Sequence, residues 1–107
     1  MSGRLPTAVL ATALLRRVND SGGSGMVLAK GTQDGSILVV AVERGSAPKL
    51  LERGLGPDGR TILLDSTPAD DVDGYWRRRR ARDPDLWVIE VDIAGAERFA
   101  AETILDD

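Results

Sequence analysis

The stretch VDGYWRRRRARDPDLWVIEVD, residues 72 to 92, holds both tryptophans, five of the arginines and one proline. Its larger side chains recur three or four positions apart, as on one face of a helix: Val72, Tyr75, Trp76 and Arg79. This spacing predicts a helix over residues 72 to 82. Pro84 ends the helix because its ring disfavours the helical conformation at Asp83. From Leu86 the sequence alternates as a strand does, so the stretch predicts a helix, a sharp corner and a strand.

Upstream, the sequence predicts another helix from Ala8 to about Asn19, with Thr7 as its N-cap. Its apolar residues form a stripe: Leu10, Ala11, Leu14, Leu15 and Val18. The glycine-rich segment at 22 to 25 follows this helix and precedes a strand. Phosphate-binding loops have the reverse order, with the helix after the loop, so we do not interpret this segment as a nucleotide site.

Between the two helices the sequence predicts four strands: Met26 to Lys30, Ile37 to Glu43, Lys49 to Arg53 and Thr61 to Asp65. The first two are joined by GTQDG, which is typical of a hairpin turn. The second is almost continuously apolar and is expected at the sheet centre, whereas the third alternates charged and apolar residues as an edge strand does. Thr67 and Pro68 suit the opening of the second helix. The tail from Glu97 fits either a strand through Phe99 or a short helix through Ile104.

This order of elements predicts an α+β fold, with a mostly antiparallel sheet of four to five strands and two helices packed on one face. A length of 107 residues is that of one ordinary domain, and we expect a single domain over residues 1 to 107. Because the chain has only one Phe, one Tyr and two Trp, the core must be mostly aliphatic. Trp76 and Trp87 are both expected inside it.

Composition excludes most familiar catalytic sites. The chain has no cysteine and no histidine, so thiolate chemistry, disulfides and the commonest metal ligand and general base are all missing. We therefore expect no metal and no cofactor. A net charge of −3 argues against a surface that binds nucleic acid as a whole.

One apolar run near the start, Leu5 to Leu15, resembles a targeting segment. Small residues interrupt it, so its uninterrupted part is shorter than a signal peptide requires, and it is far below the ~20 residues that span a bilayer. We expect a cytoplasmic protein that does not enter a membrane, and the absence of cysteine fits a reducing compartment. Either a monomer or a homodimer is compatible with the sequence, since an exposed edge strand could pair with a second copy.

The arginine run from Arg77 to Arg82 has two interpretations. It is a solvated helix end that complements the helix dipole, or it docks an acidic partner or a nucleic-acid backbone. Arg79 lies on the apolar face of the predicted helix, where an unpaired charge would be costly. We therefore expect a carboxylate partner for it, from Asp83, Asp85 or Glu90.

The three acids Asp83, Asp85 and Glu90 are also candidates for acid/base chemistry or for a hard cation. Capping, turn formation and pairing with arginines explain them equally. Asp85 and Glu90 are five positions apart, which places them on opposite faces of a strand and weakens a shared site. Trp87 is expected in the core, with a stacking platform for a ligand as the alternative.

Several short motifs resemble an uncharacterised bacterial family, domain of unknown function 1491. They are Arg78, the element Asp83-Pro84-Asp85-Leu86-Trp87, Glu90, the run Ala13-Leu14-Leu15-Arg16-Arg17 and the turn Lys30-Gly31. The likeness covers nearly the whole chain, and the Asp-Pro-Asp-Leu-Trp element is its specific part. The chain departs from the family pattern at Thr32, where an acid is usual, and at Arg79, where a glutamine is usual.

The resemblance implies a small bacterial domain and carries no mechanism with it, because the family has no established activity. Its shared polar and aromatic positions are our candidate binding residues: Arg16, Arg78, Asp83, Asp85, Trp87 and Glu90. We predict a non-catalytic protein-interaction or regulatory module with an unidentified protein partner. The alternatives are a small carboxylate-dependent enzyme and a nucleic-acid binder that uses residues 77 to 82.

Overall fold

The computed structural model describes residues 5 to 105, in which three helices and five strands follow one another. The helices are α1 (Thr7–Asp20), α2 (Val72–Arg82) and α3 (Ala96–Ile104). The strands are β1 (Ser24–Ala29), β2 (Ile37–Val42), β3 (Lys49–Leu55), β4 (Thr61–Asp65) and β5 (Trp87–Asp92). Of the two possibilities for the tail, the helix through Ile104 is the one that forms.

The strands make one sheet in the order β1-β5-β2-β3-β4. Among the described strands, three of the four neighbouring pairs are antiparallel and only β2 and β5 run parallel. The predicted α+β class with a mostly antiparallel sheet is confirmed, and so is β2 as the central strand. The prediction of β3 as an edge was wrong, because β4 pairs along its outer side.

The hairpin predicted between the first two strands does not form, because β5 lies between β1 and β2. β1 pairs antiparallel with β5, from Ser24 opposite Asp92 to Ala29 opposite Val88. The connecting residues 30 to 36 bend, as their glycines predict, but they cross the start of β5 and do not return beside β1. The prediction of a turn in this segment was therefore right, but the prediction that the turn pairs β1 with β2 was wrong.

The sheet has helices on both faces. α1 and α3 cover one face, where Leu14 and Phe99 pack with Val39 and Ile89 of the sheet. α2 covers the other face, where Trp76 packs with residues such as Leu38 and Val88. Two helices do share a face, as predicted, but the second of them is α3. β5 is consequently apolar on both sides, since Leu86 and Val88 face α2 while Trp87, Ile89 and Val91 face α1 and α3.

Two predicted capping threonines have other tasks. Thr7 is the first residue of α1, and its hydroxyl donates to the carbonyl of Gly35. Thr67 accepts a hydrogen bond from the amide of Leu50 at 2.9 Å, which ties the chain after β4 to β3. The N-cap of α2 is instead Asp71, whose carboxylate accepts from the amide of Gly74 at 3.1 Å. Within residues 5 to 105, no helix combines the length and the apolar character needed to cross a membrane.

Candidate functional site

The corner between α2 and β5 is held by the loop of residues 30 to 36. The amide of Thr32 donates to the carbonyl of Asp85 at 3.1 Å, and the amide of Trp87 donates to the carbonyl of Ser36 at 2.9 Å. Gly35 lies so close to this corner that a Cβ atom there would stand 1.7 Å from the carbonyl oxygen of Asp85. The loop therefore clamps the corner through backbone contacts that a side chain would block.

Trp87 belongs to this clamp and to the core. Its side chain is buried, and its indole Nε1–H donates to the carbonyl of Thr32 at 2.7 Å. A buried indole needs such a partner for its one polar group. Trp87 is therefore a core residue, as expected, and it offers no face for stacking a ligand.

The two aspartates of the corner act in the turn. The carboxylate of Asp83 accepts from the amide of Asp85 at 3.2 Å, and the carbonyl of Asp83 accepts from the amide of Leu86 at 3.0 Å. Both aspartates are exposed at their side chains. Neither one pairs with Arg79 and neither does Glu90, so the prediction that one of these three acids is its ion partner was wrong.

Arg79 does have a carboxylate partner, and it is Glu52 of β3. Two nitrogens of its guanidinium group donate to the two carboxylate oxygens, with Nη1 to Oε2 at 2.6 Å and Nη2 to Oε1 at 3.0 Å. The hydroxyl of Ser66 donates to the same carboxylate. Both charged side chains are largely sheltered, at 26% and 14% exposure. A paired and hydrogen-bonded geometry of this kind is what allows charges to be buried.

The environment of this pair shifts both of its ionisations. Burial raises the pKa of Glu52, but the hydrogen bonds from Arg79 and Ser66 and the charge of Arg79 outweigh it, so the pKa lies below its usual range. The hydrogen bond that Arg79 donates to Glu52 raises the pKa of Arg79, although burial opposes it. The pair is therefore fully charged near neutral pH, and it joins α2 to β3 as a structural contact.

Arg80 is the other arginine of α2 that turns toward the fold. Its Nη2 donates to the carbonyl of Lys30 at 2.8 Å, which links α2 to the loop of residues 30 to 36. The two arginines that face the molecule thus attach the helix to two different parts of the fold, β3 and the loop of residues 30 to 36. Neither Arg79 nor Arg80 is therefore part of a solvated helix end, which was one interpretation of the whole arginine run.

Three arginines remain on the outer side of α2. Arg77 places its guanidinium 5.1 Å from the centroid of the Trp76 ring. Arg78 lies 3.7 Å from the carboxylate of Asp71, with both side chains 62% exposed. The side chain of Arg82 makes no hydrogen bond or ion pair with any residue between 5 and 105. An exposed pair like Arg78 and Asp71 is worth little, so these charges are available to a ligand.

Arg77, Arg78 and Arg82 share one side of the helix. Arg78 and Arg82 are four residues apart, and the small, exposed residue Ala81 lies one turn after Arg77 and Arg78. We call these four residues the α2 outer stripe. Guanidinium groups around a short side chain leave a surface that a carboxylate-bearing segment can approach closely.

The remaining candidate residues lie elsewhere. Arg16 is exposed on α1, on the other face of the sheet. Glu90 is half-buried on the α2 face of β5, between Met26 of β1 and Val40 of β2. The structure therefore brings Asp83, Asp85 and Trp87 together at the corner, places Arg78 on the outer stripe, and separates Arg16 and Glu90 from both.

The sequence interpretation missed Glu52. Its position gives a usable signal, because Leu50 and Glu52 alternate with Leu51 in one strand and so face the same side. An arginine on the apolar face of a helix needs an acid on the apolar face of the sheet, and Glu52 satisfies that requirement. The alternation of charged and apolar residues in this strand instead favours an edge position, in which Glu52 would face solvent.

A groove of about 540 Å³ opens beside the start of α1, between the loop of residues 30 to 36 and β3. Asp34, Glu52 and Leu55 are among the residues that line it, and none of the predicted binding residues does so. Within residues 5 to 105, no cluster of three or more acidic, histidine or cysteine side chains is arranged to hold a metal ion.

Comparisons with known proteins agree with one another. The model of a family described as protein of unknown function (DUF1491) matches residues 5–101. The crystal structure of a DUF1491 family protein from Caulobacter crescentus is 29% identical, with a TM-score of 0.80 over 94% of this chain and 99% of that one. The solution structure of protein Atu0922 from A. tumefaciens is 26% identical, with a TM-score of 0.65 over 83% and 86%. Among proteins with curated descriptions, none matches this chain.

Proposed function

The chain belongs to the DUF1491 family of proteins of unknown function, and on this premise we propose that it is a non-catalytic protein-interaction module of the bacterial cytoplasm. It acts as a single domain over residues 1 to 107 and docks an acidic segment of a partner protein on the α2 outer stripe. It uses no cofactor. Arg78 is the one candidate from the shared family positions that lies in the docking surface.

One observation carries this proposal: the arginines of α2 divide into an inner pair with strong partners and an outer set without them. Arg79 and Arg80 are engaged with Glu52 and the carbonyl of Lys30. Arg77, Arg78 and Arg82 keep their donors for other molecules. A structural role explains the inner pair of arginines, whereas no structural role explains the outer set.

The helix that carries these arginines is anchored at both ends and by a buried tryptophan, which favours binding. Trp76 is buried beneath α2, and its indole Nε1–H donates to the carboxylate of Asp73 at 3.2 Å. Asp71 caps the start of the helix and Arg79 ties its end to β3. A preorganised surface loses less conformational entropy on binding than a flexible one.

An acidic protein fits this surface better than a nucleic acid does. The molecule carries a net charge of −3, so a long polyanion that extends beyond the stripe meets a surface that is repulsive on balance. Three phosphate contacts would also give a salt slope of only about −2.7, far below that of dedicated DNA-binding proteins. A short acidic segment needs only the local patch.

The proposal is tested by site-specific photocrosslinking. A photoreactive phenylalanine analogue replaces Ala81, and the full chain is irradiated in a native cell extract under reducing conditions. We expect a discrete adduct whose crosslinked peptide, identified by mass spectrometry, is rich in Asp and Glu. The adduct should fall at least tenfold in an Arg77→Glu, Arg78→Glu, Arg82→Glu variant, because three attractive charges become repulsive.

The matched control reverses three arginines outside α2, in an Arg16→Glu, Arg44→Glu, Arg98→Glu variant with the same change of net charge. It should keep the adduct. Equal loss in both variants would mean that only overall charge matters, and it would contradict the proposal. Retention of a short DNA duplex at low salt, lost in the α2 variant, would assign the stripe to nucleic acid and contradict it as well.

A further inference from the structure

The outer edge of β4 lacks the features that usually protect an exposed strand. Exposed edges commonly carry charges, a proline or a bulge, which prevent pairing with another chain. Residues 61 to 64 contain no charge and no proline, and β4 pairs with β3 without a bulge. The opposite edge, β1, has a bulge between Val27 and Ala29. The two edges of the sheet therefore differ, and β4 is the one open to pairing.

The hydrogen bonds on the inner side show which backbone groups of β4 point outward. The amide of Gly56 donates to the carbonyl of Arg60 at 2.8 Å, and the amide of Ser66 donates to the carbonyl of Leu50 at 2.8 Å. Even-numbered residues of β4 therefore bond to β3, because antiparallel pairs alternate. The amides and carbonyls of Thr61, Leu63 and Asp65 point away from the sheet, and no residue between 5 and 105 bonds to them.

We propose that β4 pairs antiparallel with β4 of a second copy of this chain, about a two-fold axis at Leu63. In this register Leu63 exchanges hydrogen bonds with Leu63 of the partner subunit. Thr61 exchanges hydrogen bonds with Asp65 of the partner subunit. By symmetry, Asp65 exchanges hydrogen bonds with Thr61 of the partner subunit. All the outward amides and carbonyls of the strand are then paired, and the two sheets become one.

Side chains agree with this register. Ile62 and Leu64 are 37% and 44% exposed on the α2 face of β4. In the proposed pair, Ile62 lies directly opposite Leu64 of the partner subunit, in the non-hydrogen-bonded arrangement where side chains approach most closely. Two exposed apolar side chains of each copy are thereby covered by the same two residues of the other, as two-fold symmetry requires.

Charge selects the antiparallel direction. Arg60 precedes the strand, with Asp58 as an exposed and therefore weak ion partner at 3.7 Å, and Asp65 ends it, so the strand keeps a positive and a negative end. Antiparallel pairing brings each Arg60 beside the negative end of the other copy. Parallel pairing would place like charges together at both ends. This edge shares no residue with the α2 outer stripe, so the inference stands without the proposed function.

The first test measures association of the full chain by sedimentation velocity from about 10 to 1000 µM, the range expected for a small interface. We expect the mean mass to rise from 11.4 kDa toward twice that value. An Ile62→Lys, Leu64→Lys variant should lower the association constant at least tenfold. A Met26→Lys, Val27→Lys variant, with the same added charge at the other edge, should leave it unchanged.

The second test examines the register. The described chain has no cysteine, so single cysteines are introduced on a clean background. Residues in a non-hydrogen-bonded pair have Cα atoms ~4.5 Å apart, within the range that a disulfide spans. An equimolar mixture of Ile62→Cys and Leu64→Cys chains should therefore crosslink at least tenfold faster than either chain alone.

A monomer at all concentrations would overturn the proposal, whether or not another protein binds this edge. A dimer that survives the β4 lysines but not the β1 lysines would also overturn it. The same holds if the mixed cysteine chains crosslink no faster than either chain alone. Circular dichroism spectra like that of the unmodified chain confirm that each variant is folded.

Discussion

Glu52 is the residue on which the polar contacts between α2 and the sheet converge. Its carboxylate receives hydrogen bonds from Arg79 and from Ser66. Because its pKa is lowered in the folded protein, the unfolded chain takes up the proton first as pH falls. The stabilisation from this carboxylate is therefore present above the unfolded pKa, near 4.5, and is lost as pH falls through the folded pKa.

We predict that Glu52→Gln lowers the free energy of unfolding by about 1–3 kcal/mol at pH 7, because Arg79 loses its ionic partner. The loss should shrink as pH falls from 4.5 through the lowered pKa of the folded state, because the wild-type carboxylate then becomes protonated itself. Urea unfolding between pH 3 and 7, followed by tryptophan fluorescence, measures both effects. Asp70→Asn, at an exposed acid, serves as the control. A pH-independent difference between Glu52→Gln and the wild type would contradict the assignment.

Trp87 is the second residue whose contacts lead to a prediction. Trp87→Ala should cost about 3–5 kcal/mol, the usual range for a large buried aromatic side chain. Trp87→Phe keeps most of the ring but leaves the carbonyl of Thr32 without its donor, so we expect a loss of about 1–2 kcal/mol. Thermal unfolding followed by circular dichroism measures both, and an unchanged melting temperature in Trp87→Ala would show that the ring is not part of the core.

The sequence predicts which face a residue occupies where the spacing of apolar residues along its element decides it. The alternation from Leu86 correctly places Trp87, Ile89 and Val91 on one face of β5. The need of Arg79 for a carboxylate was also predicted, but its identity was not. We expected an ion partner near Arg79 in sequence, but the sheet brings Glu52, which is 27 positions away, into contact with it.

At the scale of elements, the corner between α2 and β5 depends on the loop of residues 30 to 36. We predict that Gly35→Ala destabilises the protein by about 2–3 kcal/mol or more, because its Cβ would overlap the carbonyl oxygen of Asp85. Ser36→Ala, in the same loop but with an exposed side chain, should change stability by less than ~0.5 kcal/mol. Chemical unfolding compares the two variants, and equal effects would argue that the close approach is unimportant.

The same corner explains which elements the sequence predicts well. The helix over residues 72 to 82 and the strand after Pro84 follow from local spacing and from proline geometry, and both form. The pairing of β1 was missed because a glycine turn between two strands favours a hairpin locally. The choice between β2 and β5 as its neighbour depends on contacts some 60 residues apart, such as Val27 opposite Ile89.

For the whole molecule, the sheet order implies a gradient of local stability. β2 and β5 are interior strands with apolar residues on both faces, whereas β1 and β4 are edges. We predict that the amides of β2 and β5 exchange with solvent most slowly, with protection factors close to the global unfolding limit. Hydrogen exchange in dilute solution tests this, and the amides of Thr61 and Leu63 should exchange fastest among the strand residues. Equal protection of edge and interior strands would contradict the order.

The arrangement of the whole molecule was the hardest feature to predict from the sequence. The α+β class follows from the order of elements, but the assignment of helices to faces does not. α1 and α2 both have an apolar stripe, and neither stripe specifies a side of a sheet whose central strands are apolar all round. The α2 outer stripe likewise depends on which arginines face inward, and only Glu52 and Lys30 determine that.

The placement of β5 between β1 and β2 also constrains how the protein is made. When a ribosome has synthesised residues as far as β4, β1 and β2 still lack the strand that lies between them in the folded sheet. The nascent polypeptide therefore presents an open slot until its last third emerges. Chaperones that recognise extended apolar segments have that interval in which to bind, and a pause in translation before residue 87 would lengthen it.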